Sequence, residues 1–263
     1  IFADQRGPEL DDPAPDDATG VYLDIHSYSQ LVLWPWGFTY DVPPNGTALQ
    51  TLGRKFAYFN SYTPQQAVDL YYTDGTTDDF VYGDLGIAAY TFELGTSFAE
   101  PCYNFEETIL PDNLPALIYA AKAARTPYLT PAGPDVVSPA ASPSDVEPGA
   151  AIQLSATIND TRYFTGGSSS EPSQPIVAAE YYLDIPPWDA ASSPVSYTMS
   201  AADGVFNSVS EVVTATLDTT SLDGGWHMVY FRGQDAAGSW GAVSAVFIYI
   251  WPPNKLYLPN IYR

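Results

Sequence analysis

Two different hydrophobic rhythms divide this chain. In the first half, apolar runs at 21–25, 31–34 and 88–92 have the length and β-branched or aromatic content of buried strands. Between and after them, the stretches 47–59 and 114–124 space their apolar residues for one face of a helix, with Pro, Gly and Asp punctuating the joins. Alternation of strand and helix predicts an α/β architecture for residues 1–129.

Beyond residue 150 the rhythm changes to short strand candidates at 152–158, 176–183, 195–199, 212–217, 226–232 and 243–250, with turn-rich joins and no convincing helix. Such a run predicts an all-β unit over 150–251, a sandwich of the immunoglobulin-like or fibronectin class, with a hairpin turn at 235–239. Residues 130–149 are rich in Pro and Ser and read as an extended linker. Residues 252–263 form an apolar and aromatic tail whose three prolines forbid a helix and suit an extended strand docked on an edge, able to pair within or between molecules.

Composition narrows the function. Nine basic residues face 31 acidic ones, for a formal charge of −22, and Lys and Arg form no stripe that could follow a phosphate backbone. Nucleic acid is thereby excluded as an expected partner. The longest apolar run, 242–251, is interrupted by Ser244 and falls short of the roughly 20 residues that span a bilayer, so no transmembrane segment is expected. With one cysteine, Cys102, the chain has no internal disulfide, and packing must hold it together. The opening residues have neither an initiating Met nor the features of a signal peptide, which leads to the expectation that a segment precedes Ile1.

Three segments carry chemistry. In Asp24-Ile25-His26-Ser27-Tyr28-Ser29-Gln30, a lone His ends an apolar strand and is followed by hydroxyl and amide side chains. That position suits a metal ligand at the carboxyl edge of a sheet, although taken alone the pattern favours an ordinary structural histidine. In Tyr90-Thr91-Phe92-Glu93-Leu94, an acid interrupts an apolar run, where burial costs free energy unless it faces a metal, water or a cation; such a carboxylate is a general-base candidate. Between them, 69–83 is dense in Gly, Thr and Asp and reads as a loop that shapes a site or as a solvated turn. His227 alternates with apolar neighbours and reads as structural.

Taken together, His26-Ser-Tyr-Ser29, the aromatic turn Trp34-Pro-Trp-Gly37 and Thr91-Phe-Glu93, in this order, resemble the M14 zinc carboxypeptidases, most of all their bacterial branch, over roughly residues 1–128. The resemblance implies a zinc-dependent enzyme that removes C-terminal residues from peptides. It makes His26 the zinc ligand contributed by the C-terminal half, Glu93 the general base and Tyr71 the mobile tyrosine that closes over substrate. It places Tyr28, Thr91 and Asp78 on the substrate side, Asp78 being positioned to pair with a terminal Lys or Arg. The family's His-x-x-Glu zinc motif and its substrate-gripping Asn-Arg pair do not occur in this sequence. The expectation is therefore an incomplete catalytic half that is inactive alone, needs an N-terminal partner segment before it can hold Zn2+, and belongs to a secreted or cell-surface protein. Two rivals stand beside it: a structural subunit that assembles through the C-terminal tail, and a pseudo-enzyme that recognises peptide ends without cutting them.

Overall fold

The computed structural model describes residues 3–166 and 171–252 and divides into two compact units. Of the described residues, the first comprises 3–134, 161–166, 171–174 and 237–242, and the second comprises 135–160, 175–236 and 243–252. The expected C-terminal tail lies outside the described residues beyond Pro252, so its pairing stays an expectation.

The first unit is mixed α/β. Its elements run β1 (Val21–His26), β2 (Leu31–Trp34), α1 (Gly46–Asn60), β3 (Thr63–Gln66), a 3-10 turn at Ala67–Asp69, α2 (Thr77–Leu85) and β4 (Ala88–Glu93). A one-turn helix α3 (Cys102–Asn104) then leads through a π-helical stretch, Phe105–Ile109, into α4 (Leu110–Ala123). The four strands form one sheet in the order β1-β4-β2-β3, with β1 parallel to β4, β2 antiparallel to β4, and β3 parallel to β2.

Amphipathic spacing explains how α1 packs. Leu49, Leu52, Phe56 and Ala57 fall on one face and are fully buried in a core with Tyr90, Phe92 and Tyr119. Gly53 lies on the same face because a Cβ there would come within 2.8 Å of the Trp34 ring, so only glycine lets the helix approach β2 this closely.

Part of the expected loop at 69–83 is instead helix α2. The side chain of Thr76 accepts a hydrogen bond from the Asp79 amide at the amino end, and Asp78 and Asp79 occupy the first turn, where negative charge suits the helix dipole. Gly86 closes the helix in a left-handed conformation (φ 69°), its amide donating to Tyr82 O at 3.0 Å.

The regular structure of the second unit is strand apart from a 3-10 turn at Ala190–Ser192: β5 (Asp135–Ser142), β6 (Asp145–Val146), β7 (Ile152–Asn159), β8 (Ile176–Leu183), β9 (Tyr197–Ala201), β10 (Ser210–Leu217), β11 (Gly225–Asp235) and β12 (Ser244–Ile250). Hydrogen bonds connect them in the order β5-β7-β10-β9-β8-β11-β12-β6. In β7, Ile152, Leu154, Ala156 and Ile158 point inward at every second position, and Val229, Phe231, Ile248 and Ile250 meet them from β11 and β12.

Residues 130–149 are not a linker. They contain a 3-10 turn at Thr130–Ala132 and strands β5 and β6, and Val136 and Val146 are buried in the second core. Pro139 sits within a ladder irregularity between Val137 and Ala140 on a strand at the edge of the sheet, where a missing amide donor is tolerated. The polar strand β3 also went unanticipated, because Thr-Pro-Gln-Gln lacks any apolar alternation.

Candidate active site

Parallel pairing of β1 and β4 builds the site. The register sets Asp24 opposite Thr91 and His26 opposite Glu93, so the imidazole and the carboxylate emerge side by side at the carboxyl ends of adjacent strands. His26 Nδ1 lies 3.8 Å from Glu93 Oε1, and its Nε2 lies 3.3 Å from Asp24 Oδ2. Asp24 is two residues before His26 on the same strand face, and it accepts a hydrogen bond from Thr77 Oγ1 at the start of α2.

Exposure differs sharply within this cluster. The His26 side chain is 52% exposed, whereas that of Glu93 is only 12% exposed. Burial lifts the Glu93 carboxyl above the ordinary carboxylate range; His26 draws it back down and the Asp24 charge pushes it up. A carboxylate raised in this way is a stronger base than an exposed one, which suits it to take a proton from a water beside it.

The other expected site residues are distributed around this pair. Thr91 Oγ1 donates to Asp78 Oδ2 at 3.2 Å, and both residues are buried. Asp78 is 2% exposed and also accepts from the Asp79 amide at 3.0 Å. Tyr28 stands edge-on to Phe98, with ring centroids 6.0 Å apart, and remains half exposed. Tyr71 lies on the segment between the 3-10 turn and α2, with 63% of its surface exposed. A groove of about 670 Å3 opens beside His26, walled by Ile25, Ser27, Leu94, Phe98 and Phe105; Asp78 and Tyr71 do not line it.

Two acids went unread in the sequence. Asp24 was legible in principle, since residues two apart on a strand share a face. Asp79 was not: both of its carboxylate oxygens accept from the Gly37 amide, at 3.0 and 3.1 Å, across 42 residues of sequence. Burial pushes Asp79 up to about 6, with the neighbouring Asp78 charge adding to the rise and the Gly37 hydrogen bond opposing it.

The sign of the resulting pH dependence follows. Asp79 binds its proton more tightly folded than unfolded, so the folded state gains from protonation below the raised value, and stability falls as pH rises from about 4 to about 6. After allowance for partial solvent screening, the effect is on the order of 1–3 kcal/mol. Asp79→Asn is expected to flatten this part of the curve in urea unfolding at pH 4 and pH 6.5. An unchanged pH slope in the variant rules out Asp79 as its source.

Zinc sites take three or four protein ligands. Among the described residues, no group of three or more His, Cys, Asp or Glu is placed to hold a metal ion. His26 offers one imidazole, while Asp24 is engaged by Thr77 and Glu93 lies beside the ring, so these residues by themselves do not fit a zinc centre.

Cys102 is exposed on α3 and free. His227 is tied down, with Nδ1 2.7 Å from Asp184 Oδ2 and Nε2 2.9 Å from Asp223 O. Among the described residues, no helix is long and apolar enough to cross a membrane.

Residues 14–113 match the family model Peptidase_M14, zinc carboxypeptidase. A zinc carboxypeptidase of Saccharothrix mutabilis subsp. capreolus is 40% identical over 96 residues, which is 34% of this chain and 22% of that protein. Carboxypeptidase B of Astacus astacus is 38% identical over 82 residues, covering 28% of this chain and 27% of its own length. The inactive metallocarboxypeptidase ecm14 of Schizosaccharomyces pombe is 34% identical over 74 residues, 23% of this chain and 15% of that protein. The chain thus spans about a quarter or less of the length of these relatives. Residues 14–113 are therefore similar in sequence to a segment of the M14 zinc carboxypeptidases.

Proposed function

We propose that this chain supplies the C-terminal portion of an M14-type carboxypeptidase catalytic domain, acting on the C-terminal residues of peptides once a segment bearing His-x-x-Glu is joined to it. The observation that carries this reading is the pairing of His26 with Glu93 at the carboxyl ends of two parallel strands. Strand β1 is also an edge strand of its sheet among the described residues, and Ile25 beside His26 is half exposed, as a surface awaiting a further strand would be.

In this reading His26 contributes one ligand to Zn2+, and the remaining ligands come from the supplied segment. Glu93 takes the proton from the attacking water and passes it to the departing amine, a task that its buried position favours. Tyr71, on an exposed segment, closes over the peptide end, and half-exposed Tyr28 stands on the substrate side, whereas Asp78 and Thr91 are buried against each other. The second unit is an immunoglobulin-like sandwich, and the protein works outside the cell or at its surface.

Zinc stoichiometry tests the arrangement. After desalting, the chain together with a His-x-x-Glu segment is expected to retain zinc at about one ion per complex, and His26→Ala to lose it. Equal zinc retention in the His26→Ala complex would remove His26 from the ligand set.

A further inference from the structure

We propose that the outer face of β11 and β12 is a binding site for a neutral polysaccharide chain. Four aromatic side chains converge there: Trp226 from β11, Phe247 and Tyr249 from β12, and Trp251 just past its end. They line an open cleft of about 540 Å3 whose rim is completed by Ser144 and Asp145.

Sheet register explains why these residues meet. Trp226 pairs with Tyr249, and Tyr249 pairs with Asp145, so indole, phenol and carboxylate lie in one row across three adjacent strands. Phe247, Tyr249 and Trp251 follow at every second position, roughly 7 Å apart along the strand direction. The row across and the line along cross at Tyr249.

The lining decides the chemistry of the occupant. Trp226 is 71% exposed and Phe247 60%, a large area of ring surface left in water. Among the described residues, every apolar side chain that lines the cleft is aromatic. A sugar ring needs a flat apolar face for its C–H groups and an acceptor for its hydroxyls. Asp145 and Ser144 supply that acceptor at the rim.

Ring orientation and charge narrow the ligand further. Trp226 is inclined at 84° to Phe247 and 60° to Tyr249, and Tyr249 at 89° to Trp251. Rings set at such angles form walls rather than a plane, which accommodates a single glycan chain and not the flat face of a crystalline polymer. A carboxylate at the rim of a chain with net charge −22 repels anionic polymers. The ligand is therefore a soluble, uncharged polysaccharide.

Affinity electrophoresis of the whole chain through gels containing hydroxyethyl cellulose, galactomannan or laminarin tests this, with alginate as the anionic control. At least one neutral polymer is expected to retard the protein and alginate to leave it unretarded. Trp226→Ala is expected to weaken the retardation about tenfold or more, the loss of one stacking surface, and Phe247→Ala to weaken it as well. Both positions are exposed, so thermal unfolding should stay at the parent midpoint; the variant that keeps that midpoint is the one that decides. His26→Ala and Glu93→Gln are expected to bind as the parent does, which separates this site from the peptidase reading. Absence of retardation by all three neutral polymers overturns the proposal. So does full retardation of a folded Trp226→Ala protein, or a concentration-dependent dimer that this substitution abolishes, which would assign the face to a second copy of the chain.

Discussion

Replacing Glu93 by glutamine, in a protein that also carries a His-x-x-Glu segment, is expected to lower kcat for release of a peptide's C-terminal residue by about 100- to 10,000-fold, the range for loss of a general acid–base group. Glutamine keeps the size and the hydrogen-bonding oxygen of glutamate and loses the ability to carry a proton. Fold and zinc content should therefore survive, since Glu93 lies beside His26 at 3.8 Å and is not assigned as a ligand. A fall in kcat with KM little changed places the lost interaction in the transition state. Unaltered kcat in the glutamine protein would remove Glu93 from the chemistry.

The second large effect concerns the core on which the site stands. Phe56 of α1 is fully buried, and its ring centroid lies 5.1 Å from that of Tyr90 and 5.3 Å from that of Phe92, both on β4, the strand that carries Glu93. Both contacts are edge-on, as is a third with Tyr119 at 6.4 Å, and edge-on aromatic pairs add to the free energy of simple burial. Phe56→Ala is expected to cost about 3–5 kcal/mol in denaturant unfolding of the first unit. That is a large part of the stability of an ordinary domain, so the variant should also show a lost near-ultraviolet signal at moderate temperature. A cost below about 1 kcal/mol would mean that this part of the core is loosely packed, and that β4 is not held in place by α1.

These two residues also show what the sequence could and could not reveal. The strand pair that bears the site was legible because it combines two strong signals, an apolar run and a single chemically reactive residue that breaks it: His26 in one strand and Glu93 in the other. Helix α1 was legible from its 3.6-residue spacing. Helix α2 was not, because Gly, Thr and Asp dominate its approach and its stability comes from the Thr76 cap and a short buried face rather than from a long apolar stripe.

Long-range polar contacts were the least legible part. The Gly37 amide that both Asp79 oxygens accept from is 42 residues away, and nothing local marks either partner. The join between the two units was misread for a related reason. Pro-rich composition argues for a linker only where no neighbouring strand offers an edge, and β7 offers one to residues 135–142. Conversely, the aromatic face of β11 and β12 is visible only once the register brings Trp226 beside Tyr249.

The most direct test of the account is the release of C-terminal amino acids from a peptide by the chain after it is joined to a His-x-x-Glu segment, measured with zinc present and then with a chelator. The account predicts release by the joined protein that the chelator stops and that Glu93→Gln or His26→Ala abolishes. Release that persists through chelation and both substitutions, or a zinc-loaded, folded joined protein that releases nothing, would contradict it.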